Sequence, residues 1–296
     1  MILRRNLTAR KAQFYDMHKT TVNLVLTSEC NNSCQGCYLR NFTGTMPESV
    51  ADKAIELAEY LRPGNAVTFI GGEPTLQLDL LEKCQKNAQS RGLFTKMYTN
   101  GWWGRDSEIL KRISNLNLNI LLLSIDDIHK NDREAIKHIL EEFITHDKTE
   151  LCVVSLEGHE EYAKDICDGF IQPTKIYYMD ENGIDTYHSK EDNCGTCFFE
   201  GVLVFPDGTV HLDCPLGYDA CKIHDNIEED GAFEKIKGVI DSLKEWTPRI
   251  DGYKFVEYCM KNKGIETHNL EYIQKLQEKF PSQISLEDNI RRHYPK

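Results

Sequence analysis

Nothing in this sequence is built to cross a membrane. No apolar run reaches the ~20 residues that a helix needs to span a bilayer. The opening stretch MILRRNLTARKAQF carries a basic pair, Arg4 and Arg5, but no apolar segment follows it, so a secretory or twin-arginine signal is not expected. Low-complexity tracts are missing as well. Positive charge is in short supply: 35 Lys and Arg stand against 47 Asp and Glu, a formal net charge of −12. A protein that binds nucleic acid non-specifically needs a basic surface to displace counterions, so no nucleic-acid partner is expected. These absences lead to the expectation of a cytoplasmic protein with no membrane partner. The acid excess speaks of solubility rather than of a particular ligand.

What is present fits a globular enzyme-sized chain. Its 296 residues, 40% hydrophobic and 28% charged, can form one large α/β domain with a smaller appendage. Eleven cysteines stand out. An odd number of cysteines in a reducing compartment argues against a disulfide framework and for metal binding.

The first two-thirds alternates strand and helix patterns. Strands are expected at Thr20 to Thr27, Val67 to Ile70, Leu93 to Thr99, Asn119 to Ile125, Leu151 to Leu156 and Lys175 to Met179. Helices are expected between them, the first opened by a Thr45–Glu48 capping box around Pro47 and ended by Pro63 and Gly64. Six strand–helix repeats predict an α/β fold with a parallel sheet, an incomplete (β/α)6 barrel rather than a closed eight-fold one. In such architectures chemistry sits at the carboxyl ends of the strands. Beyond Tyr187 the pattern changes to a cysteine-rich hairpin, Gly201 to Phe205 and Thr209 to Asp213, turned by Pro206-Asp207-Gly208. Helical spacing returns after Gly231. The expected domains are 18–187 (barrel), 188–230 (metal-binding hairpin) and 231–296 (helical).

Residues 30 to 37 read CNNSCQGC, so Cys30, Cys34 and Cys37 have C-x3-C-x2-C spacing directly after the first strand. Three thiolates in one tight loop can each take an iron of a cubane cluster and leave the last iron open. Structural zinc, the alternative, usually asks for paired cysteines and a fourth ligand nearby. Gly71-Gly72-Glu73-Pro74 follows the second strand. Its glycines permit close backbone approach to a ligand, and Glu73 is an acceptor suited to an ammonium group.

In this order the two motifs resemble the radical S-adenosylmethionine superfamily, over about residues 18 to 180. The resemblance implies a [4Fe–4S] cluster on Cys30, Cys34 and Cys37, with the open iron chelated by S-adenosylmethionine. It implies that Gly71, Gly72, Glu73 and Pro74 meet the methionyl part of that cofactor. Asn100 in Tyr98-Thr99-Asn100-Gly101, Ser124 and Asp126 stand where the family often places polar contacts to the methionyl carboxylate and ribose, and Tyr38 could flank the adenine. Gly36 departs from the aromatic residue often found before the third cysteine.

Cys194, Cys197, Cys214 and Cys221, with the Pro-Asp-Gly hairpin between them, resemble the twitch and SPASM auxiliary-cluster appendages of such enzymes. They imply a second iron–sulfur cluster, with structural zinc as the alternative and His211 and His224 as alternative ligands. Cys84 and Cys152 read as core thiols. Cys259 is a speculative hydrogen-atom donor or distant ligand.

The resemblance implies reductive cleavage of S-adenosylmethionine to a 5′-deoxyadenosyl radical that abstracts hydrogen from a substrate, with a flavodoxin- or ferredoxin-type electron donor. The substrate expected first is a peptide or protein that is cross-linked, epimerised or oxidised. No separate peptide-recognition domain is expected in the 29 residues before Cys30, which weighs against a leader-dependent maturase unless a partner chain supplies that function. Alternatives are a small-molecule dehydrogenase or mutase, a glycyl-radical activating enzyme, and a non-catalytic iron–sulfur or zinc carrier.

Overall fold

The computed structural model describes residues 21–34, 37, 42–61, 66–144, 146–156, 159–167, 175–179, 185–186, 196–197, 201–212, 222–244 and 250–251. Six strands alternate with helices along the first part of the chain. They are β1 (Thr21–Val25), α1 (Glu48–Tyr60), β2 (Ala66–Ile70), α2 (Leu78–Ser90), β3 (Phe94–Thr99), α3 (Ser107–Ser114), β4 (Ile120–Ser124), α4 (Arg133–Phe143), β5 (Glu150–Leu156), α5 (Glu160–Ile166) and β6 (Lys175–Met179). Then come β7 (Asp185–Thr186), β8 (Thr196–Cys197), β9 (Gly201–Val204), β10 (Val210–Leu212), β11 (Lys222–His224), α6 (Ala232–Lys244) and β12 (Ile250–Asp251). No helix among the described residues is long and apolar enough to cross a membrane.

Strands β1 to β6 pair in parallel in chain order. The main sheet continues past β1 through β9, β10 and β11 and ends on the other side at β7, an open sheet of ten strands. The alternating architecture is therefore as expected. The short continuous apolar runs made the strands visible, because a parallel sheet faces its covering helices along its whole length.

Each strand sends alternate side chains to opposite faces. Val22, Leu24, Val67, Phe69, Met97, Leu121, Leu123, Val153, Val202 and Val204 join one large cluster with the apolar faces of the helices, such as Leu57, Leu81, Ile113 and Ile139. Each such fully buried aliphatic side chain contributes ~1.5–3 kcal/mol. The other face is lined by Val25, Ile70, Leu203 and Phe205 in one group and Ile120, Leu122, Cys152 and Val154 in another, with Tyr98 between them. This is the inner face of the partial barrel. Asn23, Thr68 and Lys96 form one rung across it, since β1, β2 and β3 pair in that register.

Two local features differ from the sequence reading. The Thr45–Glu48 capping box does not form: α1 starts after Pro47, with no side-chain cap bond. Thr45 is drawn instead into a bridge with Thr27, their hydroxyls 3.3 Å apart, which closes the base of the cysteine loop. Helices α3 and α4 are capped as the composition of their first turns allows, by Asp106 and Asp132, each accepting two main-chain N–H bonds worth about 1 kcal/mol.

The second difference concerns the hairpin. Strand β9 does not stand apart: it pairs in parallel with β1, Val202 opposite Val22 and Val204 opposite Leu24. The Pro206-Asp207-Gly208 turn is thereby carried to the same end of the sheet as the cysteine loop. Strands β9 and β1 touch at Gly201, where an added Cβ would lie 2.0 Å from the Thr21 carbonyl oxygen. Gly201→Ala is expected to cost about 1–3 kcal/mol as overpacking. Gly238→Ala, on an exposed position of α6 with open space around it, is expected to be neutral or to stabilise by up to ~1 kcal/mol. Denaturant unfolding of both variants checks the pair, and an undisturbed Gly201→Ala protein would contradict the close docking of β9.

Candidate functional site

The cysteine loop leaves the carboxyl end of β1 and returns to α1. Its two ends are pinned together. The Ser28 N–H donates to the Gly44 carbonyl (2.9 Å), the Gly44 N–H to Ser28 Oγ (3.0 Å), and the Met46 N–H to the Leu26 carbonyl (2.8 Å). Cys30 is exposed, while Cys34 and Cys37 are half-buried, and none of the three is in a disulfide. Cys37 packs against the inner-face group of Val25, Ile70, Leu203 and Phe205. The loop therefore sits at the mouth of the partial barrel.

The turn after β2 is pressed against this loop. A Cβ on Gly71 would lie 2.7 Å from the Thr27 carbonyl oxygen, and one on Gly72 would lie 2.2 Å from that of Glu29. No side chain fits at either position. The Gly72 N–H donates to the Thr27 carbonyl (2.6 Å) and the Glu73 N–H to the Glu29 carbonyl (2.8 Å). The glycines thus serve a close approach to the chain's own backbone, beside the first cysteine. In the sequence by itself the two glycines read as room for backbone to approach a ligand.

Glu73 is 1% exposed. Its carboxylate gathers four donors: Oε1 accepts from the Thr75 N–H (3.2 Å), the Thr75 hydroxyl (2.6 Å) and the Thr99 hydroxyl (2.9 Å), and Oε2 from the Asn100 N–H (2.9 Å). Burial pushes its carboxyl above the ordinary range, opposed by these bonds. Pro74 opens a 3₁₀ turn, Pro74–Gln77, for which Glu73 is the cap. Glu73 joins the ends of β2 and β3 from inside.

A second set of bonds ties the loop to β3 and β4. The Asn100 side-chain N–H₂ donates to Asn31 Oδ1 (2.9 Å), and the Asn32 side-chain N–H₂ donates to the His129 carbonyl (2.8 Å). Asn131 donates to the carbonyls of Asn100 and Ser124, both at 2.9 Å. Asp126, 2% exposed, accepts from the His129 N–H (2.9 Å) and lies 2.7 Å from His129 Nδ1. Burial alone would pull the His129 imidazole down; the Asp126 carboxylate and the Cys34 sulfur push it up to about 10.

The structure thus brings together Cys30, Cys34, Cys37, Gly71, Gly72, Glu73, Pro74, Asn100, Ser124 and Asp126 around one end of the sheet. Tyr38, Cys194, Cys214, Cys221 and Cys259, and the side chain of Cys197, lie outside the described residues. The backbone of Cys197 pairs with Ile250. His211 bonds Thr209 Oγ1 through Nε2 (3.1 Å) and its ring meets Phe205 at 4.7 Å. His224 is 9% exposed, its Nε2 3.5 Å from a Glu229 carboxylate oxygen. Cys84 and Cys152 are core thiols, as expected. Sequence reasoning missed Asn31, Asn32, Thr99, His129 and Asn131. Only the Asp126-to-His129 spacing, typical of a side chain bonding the main chain three residues on, offered a signal for any of them.

The donor set suits an iron–sulfur cluster better than a single ion. Among the described residues no group of three or more His, Cys, Asp or Glu is placed to hold a single metal ion. Three thiols on one loop suit a polynuclear cluster, in which each sulfur takes its own iron. Protein atoms packed round Cys30 push its thiol up to about 11, opposed by the Asn32 N–H and reinforced by Glu73 and the other two thiols. A thiolate there gains most from a bound cation. The residues fit.

The brace can be tested apart from any cofactor. Glu73→Gln puts an amide N–H₂ into a site furnished with donors only, and is expected to lower stability by about 1–3 kcal/mol. Gly72→Ala is expected to displace the Glu29 backbone and destabilise by a similar amount. Thermal or denaturant melts of the metal-free variants check both, and wild-type stability in either would contradict the brace.

Residues 24–151 match the model of the Radical SAM superfamily. Over 119 residues the chain is 30% identical to the 7,8-dihydro-6-hydroxymethylpterin dimethyltransferase of Methanocaldococcus jannaschii, covering 38% of this chain and 24% of that protein. The chain thus spans about a quarter of that relative. A "Putative peptide biosynthesis protein YydG" from Bacillus subtilis is 22% identical over 284 residues, covering 86% of this chain and 89% of that one. Among solved structures, anSMEcpe with bound AdoMet and the Kp18Cys peptide superposes with a TM-score of 0.52 at 17% identity, covering 93% of this chain and 99% of that one. BtrN in complex with AdoMet and 2-DOIA gives 0.51 at 16% identity, covering 77% and 87%. At these identities the structural likeness is one of fold. The C-x3-C-x2-C loop and the Gly-Gly-Glu-Pro turn, side by side at the carboxyl ends of a partial parallel barrel, both lie within the segment that matches the Radical SAM superfamily.

Proposed function

We propose that this chain is a radical SAM enzyme that modifies a peptide or protein substrate held against the inner face of its partial barrel. The observation that carries this reading is the position of the cysteine loop: it caps the mouth of that face, and Cys37 packs into the inner-face group itself. When bound, a [4Fe–4S] cluster with S-adenosylmethionine supplies reductive cleavage to a 5′-deoxyadenosyl radical able to take hydrogen from an unactivated carbon.

The chain's own residues do the rest. Cys30, Cys34 and Cys37 hold the cluster. Glu73 spends its carboxylate on Thr75, Thr99 and Asn100, which leaves the half-exposed backbone of Gly71 and Gly72 as the part of the motif open to the methionyl group. Ser124 and Asp126 close the β4 side of the site, Asp126 by ordering the loop through His129. Val25, Ile70, Leu122 and Val154 keep the inner face dry, and a dry wall protects a reactive centre from side reactions. Asn23, Thr68, Lys96 and Tyr98 supply its polar points.

The peptide reading draws on YydG, which aligns along most of this chain. The fold shared with BtrN supports a second reading, a small-molecule substrate. Cys194, Cys197, Cys214 and Cys221 are proposed to hold a second cluster, with zinc as the alternative, and the electron donor is proposed to be a flavodoxin or ferredoxin.

Anaerobic reconstitution with iron and sulfide tests the assignment. Wild type is expected to hold about eight irons per chain and a Cys30/Cys34/Cys37→Ala variant about four. With dithionite and S-adenosylmethionine only wild type is expected to release 5′-deoxyadenosine. About four irons with one zinc in wild type would make the second site structural. Equal 5′-deoxyadenosine from both proteins would overturn the assignment of the first.

A further inference from the structure

Asn100 ends the β3 side of the site at 7% exposure. Three of its polar groups are fixed by other parts of the chain. Its main-chain N–H donates to Glu73 Oε2 (2.9 Å), its carbonyl accepts from Asn131 (2.9 Å), and its side-chain Oδ1 accepts from the Trp102 N–H (3.0 Å). The amide therefore has one orientation. A flip would turn its oxygen away from the Trp102 donor and towards another acceptor, Asn31 Oδ1. The remaining group, Nδ2, donates to Asn31 Oδ1 (2.9 Å) and lies 3.9 Å from Cys30 Sγ. The Asn32 main-chain N–H approaches the same sulfur at 3.4 Å.

We propose that Asn100 is a positioning residue for the iron–sulfur cluster, holding the Cys30 end of the loop and donating its side-chain N–H towards the Cys30 sulfur. The proposal rests on the reading of Cys30, Cys34 and Cys37 as cluster ligands. Its chemistry is general. A donor aimed at a ligating thiolate draws electron density from the sulfur and favours the reduced, more negative cluster, so it raises the reduction potential. The same bond fixes the ligand's direction and slows its release. Asn100 also links two motifs that the sequence keeps apart, because the carboxylate of Glu73 fixes its backbone while its side chain meets the cysteine loop.

The test uses the full chain, reconstituted anaerobically with iron and sulfide, as wild type, Asn100→Leu and Asn100→Ala. Asn100→Leu removes the donor and keeps the branched shape of the side chain. Its midpoint potential, read by an EPR-monitored redox titration, is expected to fall, and its iron is expected to pass to a chelator about 10-fold faster. Asn100→Ala removes the donor without adding a charge, so its potential is expected to fall too, and it decides the matter if Asn100→Leu fails to fold by circular dichroism. A wild-type potential in a folded variant overturns the proposal, even with faster iron loss, since that result leaves Asn100 a merely structural part of the loop. Wild-type protein that takes up no iron at the cysteine loop would be a different failure, that of the cluster reading itself, and would remove the proposal with it.

Discussion

The site depends on one close contact, the backbone of Gly71 and Gly72 lying directly on the backbone of Thr27 to Glu29. Two short main-chain bonds, at 2.6 and 2.8 Å, hold it, and no Cβ could be accommodated at either glycine. This contact fixes where the first cysteine leaves the sheet. Everything else in the site is arranged around that fixed point. Glu73 follows at once, and its buried carboxylate draws in Thr75 from its own turn and Thr99 and Asn100 from the neighbouring strand end. Asn100 then reaches back to Asn31 in the cysteine loop, which closes the circuit.

A loop read as a cluster site keeps its thiols within reach, so the packing of Cys37 and Phe42 against the inner face secures only part of it. Hydrogen bonds hold the rest. The base is closed by Thr27, Thr45, Ser28 and Gly44, and the crown by Asn31, Asn32 and Glu29, whose partners come from β3, from the β4–α4 connection and from Gln77. Individually such bonds contribute about 1 kcal/mol. Their value here is geometric: they order the backbone that carries Cys30 and Cys34, and on the proposed reading such preorganised ligands bind with less ordering cost.

Much of this was legible in the sequence. The six strands show as short apolar runs with helical spacing between them, and the two principal motifs show as spacing. Less legible was what the motifs touch. Gly71 and Gly72 announce a close approach, but not that the thing approached is the Glu29 carbonyl. Glu73 reads as an acceptor for a ligand's ammonium, while its four donors come from Thr75, Thr99 and Asn100, residues that look like ordinary strand and turn chemistry. The docking of β9 on β1 was hidden as well, because strand periodicity encodes which face is buried and not which neighbour lies at the edge. The Thr45–Glu48 pattern misled for a related reason: Thr45 had a better partner in Thr27, far away in the chain.

The central claim is that the loop holds a cubane with one iron left open for S-adenosylmethionine. Mössbauer spectroscopy of the protein reconstituted with ⁵⁷Fe, recorded with and without S-adenosylmethionine, tests it directly. The account predicts that a single iron of the Cys30/Cys34/Cys37 cluster changes its isomer shift towards higher coordination when the cofactor binds. Spectra in which every iron stays tetrahedral and unchanged at saturating S-adenosylmethionine would contradict it.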